Sequence, residues 1–161
     1  MLQFYTKSRI NKLEKEIIYG LSFDNQLVKY FKESKKDYSN KAYVSCVTLL
    51  FAIIDRLISM NFNCKPGVSG IACLKKYLKK EEFYNGYVNY STIKVLFELY
   101  EDTKNFTLAK EKFNRNMIDH GWSKRNIKPY ECLQLILIIN NLLFILNNET
   151  SIMRETLKQE N

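Results

Sequence analysis

Two apolar runs decide most of what this chain can fold into. Val44 to Ile54 is apolar throughout except for Ser45 and Thr48, and Asp55-Arg56 stops it. Leu133 to Leu146 is interrupted only by Gln134, Asn140 and Asn141. Neither run alternates apolar and polar residues as a half-buried strand does. Both fall short of the roughly 18–20 apolar residues that cross a bilayer. A segment that is apolar almost all round belongs at the centre of a fold. The two runs therefore read as buried core helices, and the rest of the 161 residues must cover them. Only 5 Gly and 2 Pro punctuate the chain. The expectation is an all-α, single-domain bundle of about five or six helices.

The remaining pattern fits that class. Ile10, Leu13, Ile17 and Leu21, then Leu27, Tyr30 and Phe31, recur at helical spacing over residues 7–34. They form one long helix, or two broken at Gly20 or at Ser22-Phe23-Asp24. Lys35 to Asn40 reads as a polar link, with Ser39 or Asn40 capping a helix from about Lys41 to Met60. Pro66-Gly67 marks a loop over 61–70, followed by a short basic helix over 71–80. Phe83 to Tyr90 is aromatic and irregular, and Ser91 or Thr92 caps a helix to Tyr100. The next helix spans about Thr107 to His120, ended by Gly121 in the left-handed conformation. Pro129 suits the first turn of a last helix reaching about Asn147. The domain then covers 1–150, and 151–161 is a polar tail that frays.

The net charge is +8, which suits a polyanionic partner, although solubility alone accounts for it equally well. The lysines are spread along the chain, a pattern closer to phosphate attraction than to base reading. Cys46, Cys64, Cys73 and Cys132 show no CxxC spacing, and one His cannot complete a usual zinc set. No metal or other cofactor is implied. Cys46 and Cys132 lie in apolar helical runs and read as small core residues. The start of the chain, Met1-Leu2-Gln3-Phe4-Tyr5-Thr6-Lys7, lacks a secretory apolar segment. The expected compartment is the cytoplasm, with reduced thiols and no membrane partner.

The one candidate for chemistry is the single histidine, in Phe113-Asn114-Arg115-Asn116-Met117-Ile118-Asp119-His120-Gly121. Histidine titrates nearest working pH, and here it follows an arginine on the same helix. At about 100° per residue, Phe113, Asn116, Met117 and His120 share a face, whereas Arg115 stands about 140° from His120. Asn116 at i,i+4 can orient His120. A plainer reading also fits: Arg115 and Asp119 as a surface ion pair, His120 favoured by the helix dipole, and Gly121 as terminator.

Arg115-Asn116-Met117-Ile118-Asp119-His120 resembles the arginine, polar residue, three residues, histidine motif of the HEPN superfamily. Asn114 and Gly121 bring the string closer to its abortive-infection-type branches. The run Tyr43–Leu57 resembles that family's central helix, and Leu133–Leu146 the long apolar helix that follows its motif. The motif match covers about eight residues; helix order matches loosely over most of the chain. A toxin branch of the family carries Tyr two residues after the His, where this chain has Trp122. A partner that modifies that tyrosine is therefore not implied.

The resemblance implies a metal-independent endoribonuclease, a toxin or anti-phage effector. It would cleave RNA by 2′-hydroxyl attack at a site shared by a homodimer, with an antitoxin or other regulatory protein as partner. The lone histidine agrees, since cleavage needs both a base and an acid. The catalytic set is Arg115 on the phosphate, Asn116 orienting His120 or touching phosphate, and His120 as base or acid. The substrate-contacting set is Asp119, which can also hold Arg115, with Lys112, Trp122 and Lys124. Trp122 either stacks a base or packs, with packing favoured. Asp55 is either a supporting partner of the site or, as favoured here, an exposed helix end paired with Arg56. The rival function is a non-catalytic helical module that binds a protein or nucleotide.

Overall fold

The computed structural model describes residues 7–61, 72, 87–100, 112–121, 123 and 125–159. Among them are six helices and no strand: α1 Lys7–Gly20, α2 Asn25–Ser39, α3 Tyr43–Asn61, α4 Tyr87–Leu99, α5 Arg115–Asp119 and α6 Pro129–Gln159. The all-α bundle expected from the sequence is what the chain forms.

The apolar pattern over 7–34 resolves into two helices. Asp24, extended at φ −137 and ψ 104, accepts hydrogen bonds from the N–H of Gln26 at 2.9 Å and of Leu27 at 3.4 Å. That N-cap starts α2 afresh. Gly20 ends α1 against α6, where a Cβ would lie 2.9 Å from Leu143 Cδ1. The missing side chain is what lets the two helices close.

The junction of α2 and α3 departs from expectation. Lys35 to Asn40 is no separate link, because α2 runs through Ser39. Ser39 Oγ donates back to the Lys35 carbonyl at 3.0 Å, and Asn40 closes α2 as its C-cap. Neither residue caps α3. Lys41 reverses the chain instead, in the left-handed region at φ 62.

α3 is the centre. Cys46, Val47, Leu50, Phe51, Ile53, Ile54, Leu57 and Ile58 are buried along it, and α2 and α6 pack against it. Within α3 the 18 residues Tyr43–Met60, at mean hydropathy 1.7, are long and apolar enough to cross a membrane by length and composition. The apolar run Val44–Ile54 alone is too short for that. In this fold the core-facing residues of α3 meet α2 and α6, its principal neighbours.

α6 supplies the opposing surface with Cys132, Leu135, Ile139 and Leu142 fully or almost fully buried. It runs to Gln159 and not to about Asn147, and so crosses the expected boundary at 150 without a break. No Gly or Pro follows Pro129 to stop it. Its polar interruption is partly explained: Asn141 Nδ2 donates to the buried Thr92 Oγ1 at 3.1 Å. Thr92 is thus interior to α4, which starts at Tyr87, and is not its cap. The last four residues of the stretch expected to be irregular, 87–90, are helical. Cys46 and Cys132 are free and buried, as expected of core residues, and each is 0% exposed. A hydrogen bond between the two thiols, with burial second, holds the Cys46 thiol protonated. Cys64, Cys73, the 62–70 loop and nearly all of the 71–80 helix lie outside the described residues.

Candidate active site

The motif helix is shorter than the sequence predicts. Residues 112–114 are not helical, and α5 begins at Arg115; residues 107–111 lie outside the described residues. The reason is Asn114. It is extended at φ −137 and ψ 133, and its side-chain oxygen accepts from the Met117 N–H at 3.3 Å. A buried N-cap resets the backbone there, with only 1% of Asn114 exposed.

At the other end, His120 is the C-cap at φ −88 and ψ 4, and Gly121 follows at φ 68. Gly121 is left-handed as expected. Nothing lies within 4 Å of the Cβ it lacks, so conformation and not crowding favours glycine. The Ser123 N–H then returns to the Met117 carbonyl at 2.9 Å.

This geometry corrects the predicted stripe. Met117 and Ile118 are the residues α5 buries. Asn116 is half-buried and His120 exposed, so they do not both continue an apolar face. Phe113 lies outside the helix, although its ring still packs at 5.9 Å from Phe51.

Arg115 turns toward α3. Its Nη2 donates to Asp55 Oδ2 at 2.7 Å. Its Nε stands 3.0 Å from Asp119 Oδ2. That second contact is an ion pair without hydrogen-bond alignment, so the buried Nε–H has no hydrogen-bond partner. Nη1 donates to Asn116 Oδ1 at 3.3 Å. Behind the acid, Tyr100 Oη donates to Asp55 Oδ1 at 2.7 Å, and the tyrosine ring lies 5.9 Å from the Arg115 guanidinium carbon. Asp55 is therefore part of the motif's surroundings and not a plain helix end paired with Arg56. Arg56 lies instead 3.8 Å from Asp24.

The electrostatics follow from one cation between two acids. Burial works against the Arg115 charge, but Asp55 and Asp119 outweigh it and lift its pKa above the ordinary arginine value. Burial raises the Asp119 carboxyl above the usual carboxylate range; Arg115 pulls it down and Asp55 pushes it further up. Burial, then the Asp55 charge, pushes the Tyr100 hydroxyl up. A guanidinium carries five N–H donors. Asp55 and Asn116 take two of them, and 28% of the side chain remains exposed. Arg115 can therefore still meet an anion.

The segment after His120 is tied down by another ion pair. Glu131 accepts from the Lys128 N–H at 2.7 Å, the reach-back half of a capping box at the start of α6. Its other oxygen takes Arg125 Nη2 at 2.5 Å. The Arg125 guanidinium carbon also lies 5.8 Å from the Phe113 ring centroid. Arg125 thus joins Phe113, two residues ahead of α5, to α6.

Of the predicted site residues, Arg115, Asn116 and Asp119 are brought together. His120 sits at the exposed end of the same turn, and Lys112 is exposed before it. Trp122 and Lys124 lie outside the described residues. Sequence reading undervalued Asp55 and missed Tyr100, Asn114 as a cap, and the Arg125–Glu131 pair. A signal for Asp55 existed: four residues after Phe51 and three before Ile58, it shares the core-facing side of α3.

Compared with known protein families, curated proteins and solved structures, the chain matches none.

Proposed function

We propose that the protein is a dimeric, metal-independent endoribonuclease of HEPN type, acting in the cytoplasm as a toxin or anti-phage effector. The observation that carries this reading is a fixed cation and an exposed imidazole at opposite ends of one short helix. Arg115 is held from α3 by Asp55, and His120 is an exposed residue at the C-cap.

In the reaction, a base removes the proton of the 2′-hydroxyl, and that oxygen attacks the adjacent phosphorus. The bond to the 5′-oxygen breaks, and an acid supplies that oxygen's proton. The products carry a 2′,3′-cyclic phosphate and a 5′-hydroxyl. Arg115 stabilises the charge on the phosphorane oxygens. One His120 cannot serve as base and acid in the same turnover. Within one chain, moreover, Arg115 and His120 are separated by about 7.5 Å of helix rise and about 140° of rotation. A second copy across a two-fold axis supplies the missing imidazole.

A second reading is a non-catalytic helical module that binds a protein or nucleotide. It is favoured by one observation: Arg115 already has a carboxylate on each of two sides, as a structural ion pair does. The test is RNA cleavage by purified protein in chelator, with His120→Ala and Arg115→Lys alongside. The nuclease reading expects cyclic-phosphate ends from the wild type and at least a hundredfold loss in both variants, about the contribution of one acid–base group. Cleavage that survives His120→Ala, or growth arrest on expression that persists in that variant, sinks it.

A further inference from the structure

We propose that Tyr100 is a positioning residue of this site, acting on Arg115 through Asp55. The catalytic consequence rests on the nuclease reading; the positioning itself does not.

Asp55 divides its oxygens between two donors: Tyr100 Oη on Oδ1 and Arg115 Nη2 on Oδ2, each at 2.7 Å. The terminal torsion of an aspartate is broad, so one donor leaves the carboxylate plane free to turn. Two donors on separate oxygens fix it. Tyr100 is itself fixed, being 5% exposed and packed edge-on against Phe51 at 6.1 Å and 87°. Its ring also lies under the guanidinium it helps to hold.

The position does not call for a hydroxyl on packing grounds. Phenylalanine fills the same space without the cost of burying an O–H. The group that distinguishes Tyr100 from Phe is the one aimed at Asp55. Its work is to stop the carboxylate turning, so that Arg115 keeps one orientation before any phosphate arrives.

Tyr100→Phe, Asp55→Ala and the double variant test this in the full chain. Two readouts are taken: the Arg115 side-chain Nε–H resonance by NMR, and kcat and KM for RNA. In Tyr100→Phe the Arg115 resonance is expected to broaden or move, and kcat to fall about tenfold with KM little changed, as for a misoriented catalytic group. Tyr100→Phe added to Asp55→Ala, which removes both acceptor oxygens, should cost nothing further, because the tyrosine acts through the acid. An unchanged Arg115 resonance overturns the proposal, as does an additive double variant. Should Tyr100→Phe fail to fold, the Tyr100 hydroxyl proton is followed by NMR in the wild type and in Asp55→Ala: a protected resonance that Asp55→Ala opens to exchange supports the proposal, and one that behaves alike in both overturns it. If the wild type cleaves no RNA, the nuclease reading falls and the NMR result still decides the role of Tyr100.

Discussion

At the scale of single residues, the site is a triad of charges that cannot balance. Arg115 contributes +1, and Asp55 and Asp119 contribute −2, leaving −1 in a half-buried corner. The surplus falls on Asp119, whose carboxyl is 21% exposed and titrates above the ordinary range because of burial and the neighbouring Asp55. The fold therefore favours protonated Asp119. Its contribution to stability is fully present below the unfolded carboxylate pKa and is lost as pH rises through the higher folded value. NMR titration should find the Asp119 pKa lowered by Asp55→Asn, which removes the repelling acid. Arg115→Met should raise it, by removing the attracting cation. Movement in the opposite directions would show that the three groups are not coupled as described. The arginine, the histidine and their spacing were legible in the sequence. The partner acid was harder to read, because Asp55 and Arg115 are 60 residues apart and only the packing of α5 on α3 joins them.

At the scale of elements, helices declared themselves where burial decides and misled where caps decide. α1 and α2 carry apolar positions at helical spacing, α3 and α6 are apolar almost all round, and the sequence shows both patterns. The start of α5 was not. Residues before Arg115 have helical propensity, but a side chain that bonds its own downstream N–H outcompetes propensity. Asn114 does so from inside the core, which sequence reading does not reveal. Ser39 and Asn40 were misassigned for the same reason: either can serve a helix behind or ahead. The clasp of the connection after α5 onto α6 gives a prediction at this scale. Glu131 is 3% exposed at its side chain and is neutralised by Arg125. Arg125→Met should destabilise the protein by about 3–5 kcal/mol, the usual cost of orphaning a buried charge. Glu131→Gln in that background should restore much of the loss, because the amide oxygen still accepts from Lys128. Urea unfolding of the three variants measures both steps. An Arg125→Met change within error of wild type would mean that water already reaches Glu131.

At the scale of the molecule, the composition predicted an all-helical bundle, and the described residues form one around α3. What composition could not supply was the relation of the site to a second copy, because one chain's pattern carries no symmetry. The proposed reaction makes that relation measurable. Specific ribonuclease activity should fall on dilution in step with dissociation of the dimer, both followed over the same concentrations by cleavage rate and sedimentation. Activity per chain that stays constant through dissociation would show that one His120 suffices. The charge triad also bears on the protein's history. A lineage that loses Arg115 first leaves Asp55 and Asp119 facing each other with nothing between them. A lineage that first neutralises either acid can shed the arginine afterwards at little cost. Descendants that have abandoned the motif should therefore carry a changed Asp55 or Asp119 more often than a changed Arg115 alone.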